Sequence, residues 1–192
     1  MAQLFGYAGF IKTAKFDDDF FIQQCLINIG KQARKHKNKY GSMVIAADSK
    51  KRKYWRLKEF EHYKAGRFVE SDKELSTKDA ETLEKVRKIP NELEQVLRDH
   101  FPYYFIKSEE AEADDVIGTL VSNLREQRHV ILSADWDFLQ LQRYNVDQYD
   151  TTRNRWLTSE TPDIDLTEKI FRGDGGDGIP NVLSDSDTLV ND

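Results

Sequence analysis

Residues 109–141 constrain the fold more than any other stretch. They open with E-E-A-E-A-D-D-V-I-G-T-L-V-S-N-L and close with V-I-L-S-A-D-W-D-F-L-Q-L. Val116, Ile117, Leu120, Val121 and Leu124 recur near period 3.6, which predicts a helix over residues 112–127 with one apolar face. Residues 130–134 form a short apolar run, the pattern of a buried strand. Glu112, Asp114 and Asp115 stand at the head of the helix, and Asp135 and Asp137 follow the strand. Five carboxylates gathered at two adjacent element ends disfavour one another's ionised forms unless something cationic sits among them. A pair of divalent metal ions is the expected counter-charge.

The rest of the chain extends this alternation. Residues 17–34 predict a helix with an apolar stripe of Phe20, Phe21, Cys25, Leu26, Ile27 and Ile29, and Asp17, Asp18 and Asp19 favour its positive end. A basic loop over residues 35–39, closed by Gly41, follows it. Residues 42–47 are apolar, β-branched at their centre and end on Asp48, as a buried parallel strand does. Residues 77–87 and 90–101 predict two helices, the second with Pro90 at its favourable first position. Further strands are expected at 103–106 and 146–149, and helices at 138–141 and 165–172. The fold class is therefore α/β, a mainly parallel central sheet flanked by helices. In such sheets the ligand site lies beyond the carboxyl ends of the strands, where Asp48 and Asp135 both fall.

At 192 residues a single domain is expected. No apolar run approaches the roughly 18 residues that span a bilayer, and the N-terminus carries no export pattern. The one cysteine, Cys25, cannot make an internal disulfide, which points to a reducing cytoplasm and a buried structural thiol. The net charge of −5 conceals an asymmetry: residues 1–107 hold 22 Lys/Arg against 15 Asp/Glu, and residues 108–192 hold 7 against 19. The basic half peaks between Lys31 and Arg67, with Tyr54, Trp55, Phe60 and Tyr63 interleaved. That composition suits phosphate contacts plus stacking on unpaired bases, although a solvated helix with aromatics in the core has the same composition. A polyanion bound on the basic surface and cut at the acidic pocket fits both halves.

Hard divalent cations take oxygen ligands, so carboxylates are their expected partners. The candidates are Asp48, Glu112, Asp114, Asp115, Asp135, Asp137, Asp174 and Asp177. His36, His62, His100 and His129 show no zinc-ligand spacing. Taken singly, each carboxylate has a structural alternative: Asp114 or Asp115 as a helix cap, Asp137 as the cap of the short helix, Asp174 and Asp177 as turn residues. Collected at two strand ends and one helix head, they are better explained by a metal site, whose ions can activate water and stabilise the leaving oxygen of a phosphodiester.

E-A-D-D at 112–115, S-A-D-W-D-F-L-Q-L at 133–141 and G-D-G-G-D-G-I-P at 173–180 together resemble the 5′-nuclease superfamily. Its members include flap endonucleases, the 5′-nuclease domain of bacterial DNA polymerase I and phage 5′→3′ exonucleases. The resemblance implies a PIN-like core with a basic helical arch over residues 54–78. It implies two Mg²⁺ ions, which Mn²⁺ can replace, held by the eight carboxylates above. Lys64 and Arg67 match the basic residues at the base of the arch: Lys64 would contact the scissile phosphate and Arg67 support it. Arg56, Tyr63, Lys64 and Arg67 would touch nucleic acid, with Tyr63 stacking on the terminal base.

The implied activity is 5′→3′ exonuclease and flap endonuclease hydrolysis of DNA or RNA–DNA primers during replication. Implied partners are DNA with 5′ flaps, nicks or RNA primers, a single-stranded-DNA-binding protein and a sliding clamp, with the protein a monomer in the host cytoplasm. The chain departs from the pattern in two places. The family begins with a strand ending in a metal-binding aspartate, whereas this chain starts M-A-Q-L-F-G, so the first strand and one ligand are expected to be missing. Residues 173–192 would be the start of an incomplete C-terminal DNA-binding region, with Gly178 where the family has Asn and Asn181 where it has Gly. Two other readings stay open: a DNA-binding remnant without turnover, and a PIN-like ribonuclease.

Overall fold

Helix α1, Asp18–Tyr40, has Asp18 and Asp19 in its first turn and Lys37 and Lys39 in its last, each sign opposing the helix dipole. The computed structural model describes residues 18–49, 54–65 and 77–189. Asp17 lies outside those residues. The expected basic loop at 35–39 is instead the last part of α1, because Ala33 and His36 are buried and prolong the stripe of Phe21 and Ile22. Gly41, at φ +80°, stops the helix, and its N–H donates to Lys37 O at 2.8 Å.

The described residues form two compact units. One holds α1, strand β1 (Val44–Ala47) and most of strand β2 (Tyr104–Lys107), together with a long helix, Thr77–His100. The two strands pair. The long helix replaces the two expected helices and carries Pro90 inside it. A proline within a helix costs about 3 kcal/mol. Continuity places Ile89, Leu93 and Leu97 on one buried stripe, and each buried aliphatic side chain contributes about 1.5–3 kcal/mol. That stripe packs with Phe21 and Ile22, and Ile45 and Phe105 lie against the same cluster. Cys25 is half-buried there, and burial pushes its thiol pKa up, as befits a structural thiol.

The second unit contains every described candidate site residue. Its elements are the short helix α2 (Trp55–Glu59), then, numbering Thr77–His100 as α3, helix α4 (Ala113–Asn123), β3 (His129–Leu132), a 3₁₀ helix (Trp136–Tyr144), β4 (Val146–Asp150), β5 (Arg155–Leu157) and α5 (Pro162–Arg172). Strands β3 and β4 pair in parallel, from His129 with Val146 to Leu132 with Tyr149. Strand β5, which the sequence pattern did not predict, adds an antiparallel edge to β4. Val121, Ile131, Phe138 and Val146 form the core, bringing α4, β3, the 3₁₀ helix and β4 together. Of the arch expected at 54–78, residues 66–76, Arg67 among them, lie outside the described residues.

The β4–β5 turn carries its own electrostatic anchor. The buried Asp150 carboxylate accepts from the N–H groups of Arg153 (3.0 Å) and Thr152 (2.9 Å) and pairs with the Arg153 guanidinium at 3.3 Å. The Arg153 N–H, ahead of the other donors, holds the carboxyl below its usual pKa against the opposing effect of burial. A depressed folded pKa stabilises above the unfolded value of about 3.9 and is lost as pH falls through the folded value. Asp150→Ala is therefore expected to lower Tm at pH 7 and to flatten the fall of Tm below about pH 4, as scanning calorimetry at stepped pH would show.

Candidate metal centre

Asp48 follows β1, and its Oδ1 accepts from Ala113 N–H at 2.8 Å, at the N-terminus of α4. Glu112 stands immediately before α4, and its N–H donates to Asp115 Oδ2 at 2.9 Å. Asp114 lies on the first turn of α4. Asp135 precedes the 3₁₀ helix and caps it, its Oδ1 accepting from Asp137 N–H at 2.9 Å. Asp174 and Asp177 belong to a tight loop closed by paired backbone hydrogen bonds between Asp174 and Ile179, of 2.7 and 2.8 Å. Two glycines make this loop possible. Gly173, at φ +71°, has no room for a Cβ, which would lie 2.4 Å from Ile179 O. Gly178, at φ +73°, lets His62 O approach to 2.9 Å from where a Cβ would be.

Three cations thread through these carboxylates. Lys64 Nζ pairs with Glu112 Oε1 and lies 3.7 Å from Asp177 Oδ1. Its backbone is left-handed, at φ +58°, and its N–H donates to Asp177 O at 2.7 Å. Arg56 grips Asp115 with two hydrogen bonds of 2.6 and 2.7 Å, reaches Glu112 at 3.2 Å, and lies over the Trp55 and Tyr63 rings. Lys169, near the end of α5, binds Asp137 Oδ1 and, at 2.8 Å, Asp174 Oδ2.

The geometry redistributes several expected roles. Both Asp115 oxygens are taken by Arg56; burial alone would raise the Asp115 pKa, but Arg56 and the Glu112 N–H hold it down. Asp115 thus anchors α2 to α4 in this arrangement rather than offering open lone pairs. Arg56, expected on nucleic acid, is its partner. Tyr63, expected to stack on a base, is only 3% exposed. Its hydroxyl donates to Glu112 and lies 3.2 Å from Asp177, and burial followed by the Glu112 bond pushes its pKa up.

Asp114 reports the charge of the whole group. Its carboxyl pKa is pushed up to about 6, first by burial and then by Asp135, Asp48 and Glu112, with Lys64 opposing. Among the described residues no three His, Cys, Asp or Glu side chains already converge as a metal cage. The donor set nevertheless fits a hard divalent cation. It is all carboxylate, and it carries more negative charge than its lysines neutralise, an excess that adds to burial in raising the Asp114 pKa.

Two residues that the sequence did not single out complete the site. Lys169 is one; a lysine in a helix's last turn ordinarily reads as a dipole partner. The other is Gln148 on β4, fully buried, whose Nε2 donates to Ser133 O (3.1 Å) and Asp135 O (2.6 Å). These bonds pin the backbone just where Asp135 leaves β3, while Gln148 Oε1 meets no partner. A polar residue on the face shared with Val146 is the signal that could have found it. Gln148→Leu removes both bonds and is expected to cost about 1–3 kcal/mol in urea unfolding.

The family described as "5′-3′ exonuclease, N-terminal resolvase-like domain" matches residues 20–169. Ribonuclease H of Enterobacteria phage T4 is 34% identical over 154 residues, covering 77% of this chain and 48% of that protein. Flap endonuclease Xni of Shewanella woodyi is 35% identical over 83 residues, covering 38% of this chain and 33% of its own length. The chain thus spans at most about half the length of these relatives. T5 5′-exonuclease, solved with divalent zinc ions bound, superposes with a TM-score of 0.77 at 16% identity, over 98% of this chain and 71% of that one. A T5 flap endonuclease variant, in a pseudo-enzyme-product complex with DNA and metal ions, gives 0.71 at 17% identity, over 95% and 70%. At such identities these likenesses establish the fold alone, the α/β fold of the T5 structures. With the family match covering most of its length, the chain belongs to the 5′-3′ exonuclease N-terminal resolvase-like domain family.

Proposed function

We propose that the chain is the core of a divalent-metal-dependent 5′ nuclease that hydrolyses phosphodiesters at 5′ flaps, nicks or primer ends. The observation that carries this reading is that Asp48 Oδ1 accepts from Ala113 N–H at 2.8 Å, which ties the carboxylate at the end of β1 to the α4 head that carries Glu112 and Asp114. The names of the relatives support it: a phage ribonuclease H, a flap endonuclease and a 5′-exonuclease.

Asp48, Asp114, Asp135, Asp137, Asp174 and Asp177 would hold the two ions, with Glu112 joining them where Lys64 and Tyr63 release it; Mg²⁺ fits best, with Mn²⁺ as substitute. When bound, such ions make water nucleophilic and offset charge on the leaving oxygen. The protein's own groups do the rest. Asp48 fixes the α4 N-terminus on which Glu112 and Asp114 are mounted. Gln148 and the Asp135 cap fix the β3 end. Lys64 supplies positive charge to the transferring phosphate, its position set by its N–H bond to Asp177 O and by the Tyr63 ring 4.9 Å beneath Nζ. Arg67 would support it from the arch. No protein nucleophile is required.

The test compares substrates. The purified chain with Mg²⁺ is expected to release short 5′ products from 5′-flap and nicked duplex DNA, and to leave a 3′ flap intact. Preference for single-stranded RNA over all of these would favour a PIN-like ribonuclease. Tight flap binding without products would favour a binding remnant.

A further inference from the structure

We propose that Lys169 is a built-in cation that holds Asp137 and Asp174 together and competes with a divalent ion for them. The inference rests on the metal-centre reading above and deepens it. Asp137 and Asp174 come from separate elements, the start of the 3₁₀ helix and the G-D-G-G-D loop, and the Lys169 ammonium donates to both. It arrives from the last turn of α5, where the carbonyl end of the helix favours a cation. Burial opposes its charge, but the two carboxylates raise its pKa. Asp174 mirrors this: burial would raise its pKa, and Lys169 brings it below the usual range.

An ammonium is a poor substitute for a divalent ion in one respect that matters. It brings one charge to two carboxylates, and it sits on a flexible stem. The Lys169 side chain is 37% exposed, so its head can return to water without crossing the core. The closed pair is therefore a ground state that a divalent ion must displace, and the ion's apparent affinity is reduced by the fraction of molecules in which the lysine occupies the carboxylates. The consequence is a shifted binding curve: the Asp137/Asp174 pair stays neutralised and ordered when metal is scarce, and opens to it progressively at higher concentration.

The experiment titrates the full chain with Mn²⁺, without nucleic acid, following loss of the free-ion electron paramagnetic resonance signal. Tm is measured in parallel with and without Mn²⁺. Lys169→Met is expected to bind Mn²⁺ roughly tenfold more tightly than the wild type. It should also melt lower in EDTA and gain more Tm from Mn²⁺. Lys169→Gln, which keeps a polar head, should move the same way if Lys169→Met does not fold. Unchanged or weaker Mn²⁺ binding in these variants, while Asp174→Asn weakens it in the wild-type background, overturns the competition and leaves the metal centre standing. Wild-type Mn²⁺ binding that is absent, or indifferent to Asp174→Asn, overturns the metal centre and this inference with it.

Discussion

Asp114→Asn is expected to melt higher than the wild type in EDTA at pH 7, and in Mn²⁺ to cleave 5′-flap DNA roughly 10²–10³-fold more slowly. The two effects have opposite signs for one reason. Burial and then Asp135, Asp48 and Glu112 raise the Asp114 pKa to about 6, so its ionised form is disfavoured in the folded state. A carboxylate whose folded pKa exceeds its unfolded value of about 3.9 destabilises the fold above the folded pKa, and the penalty vanishes as pH falls below the unfolded one. The neutral amide of Asn removes that penalty, so the Tm gain should be largest near pH 7 and shrink towards pH 4. The same charge is what a cation at the site would use. Were Asp114 only a helix-capping residue, the substitution would leave Tm nearly level at both pH values and spare the activity.

Lys64→Ala is expected to lower the single-turnover cleavage rate by a similar factor, roughly 10²–10³, with a much smaller effect on flap binding. The side chain stands between Glu112 and Asp177, the place where positive charge would meet a phosphate drawn to the carboxylates. Its left-handed backbone is held by the bond to Asp177 O, a strained conformation of the kind that functional sites retain. Alanine leaves the backbone N–H in place and removes the ammonium together with its stem. Losing one phosphate contact should reduce the salt slope of flap binding by about 1, read by fluorescence anisotropy at several salt concentrations. A large binding defect with an unchanged single-turnover rate would move Lys64 from the reacting phosphate to general DNA attraction.

Much of the site was legible because its residues lie at element ends, where sequence pattern is strongest. The apolar stripe of Val116, Ile117 and Val121 located α4, and with it Glu112 and Asp114 at its head. The apolar run before Asp135 located β3. Helix boundaries were less legible. Residues 35–39 read as a loop because Lys35, Lys37 and Lys39 are charged, yet the single buried His36 carries α1 through them. Pro90 read as a helix start, but the stripe from Ile89 to Leu97 overrides it. What sequence could not supply was pairing across elements. Arg56 with Asp115, Tyr63 with Glu112, Lys169 with Asp137 and Gln148 with the Asp135 carbonyl join residues from 13 to 59 positions apart. Such pairs follow from topology, and they give Asp115, Arg56 and Tyr63 partners within the protein that no sequence pattern signals.

On the proposed function, carboxylates and divalent ions together make this chain a nuclease. The most direct test is the single-turnover cleavage rate of a 5′-flap duplex by the purified chain as free Mn²⁺ is raised from zero. The expected result is no products in EDTA and a rate that climbs with Mn²⁺ and collapses in Asp135→Asn. Cleavage that proceeds equally in EDTA, or that survives Asp135→Asn at every Mn²⁺ concentration, would contradict it.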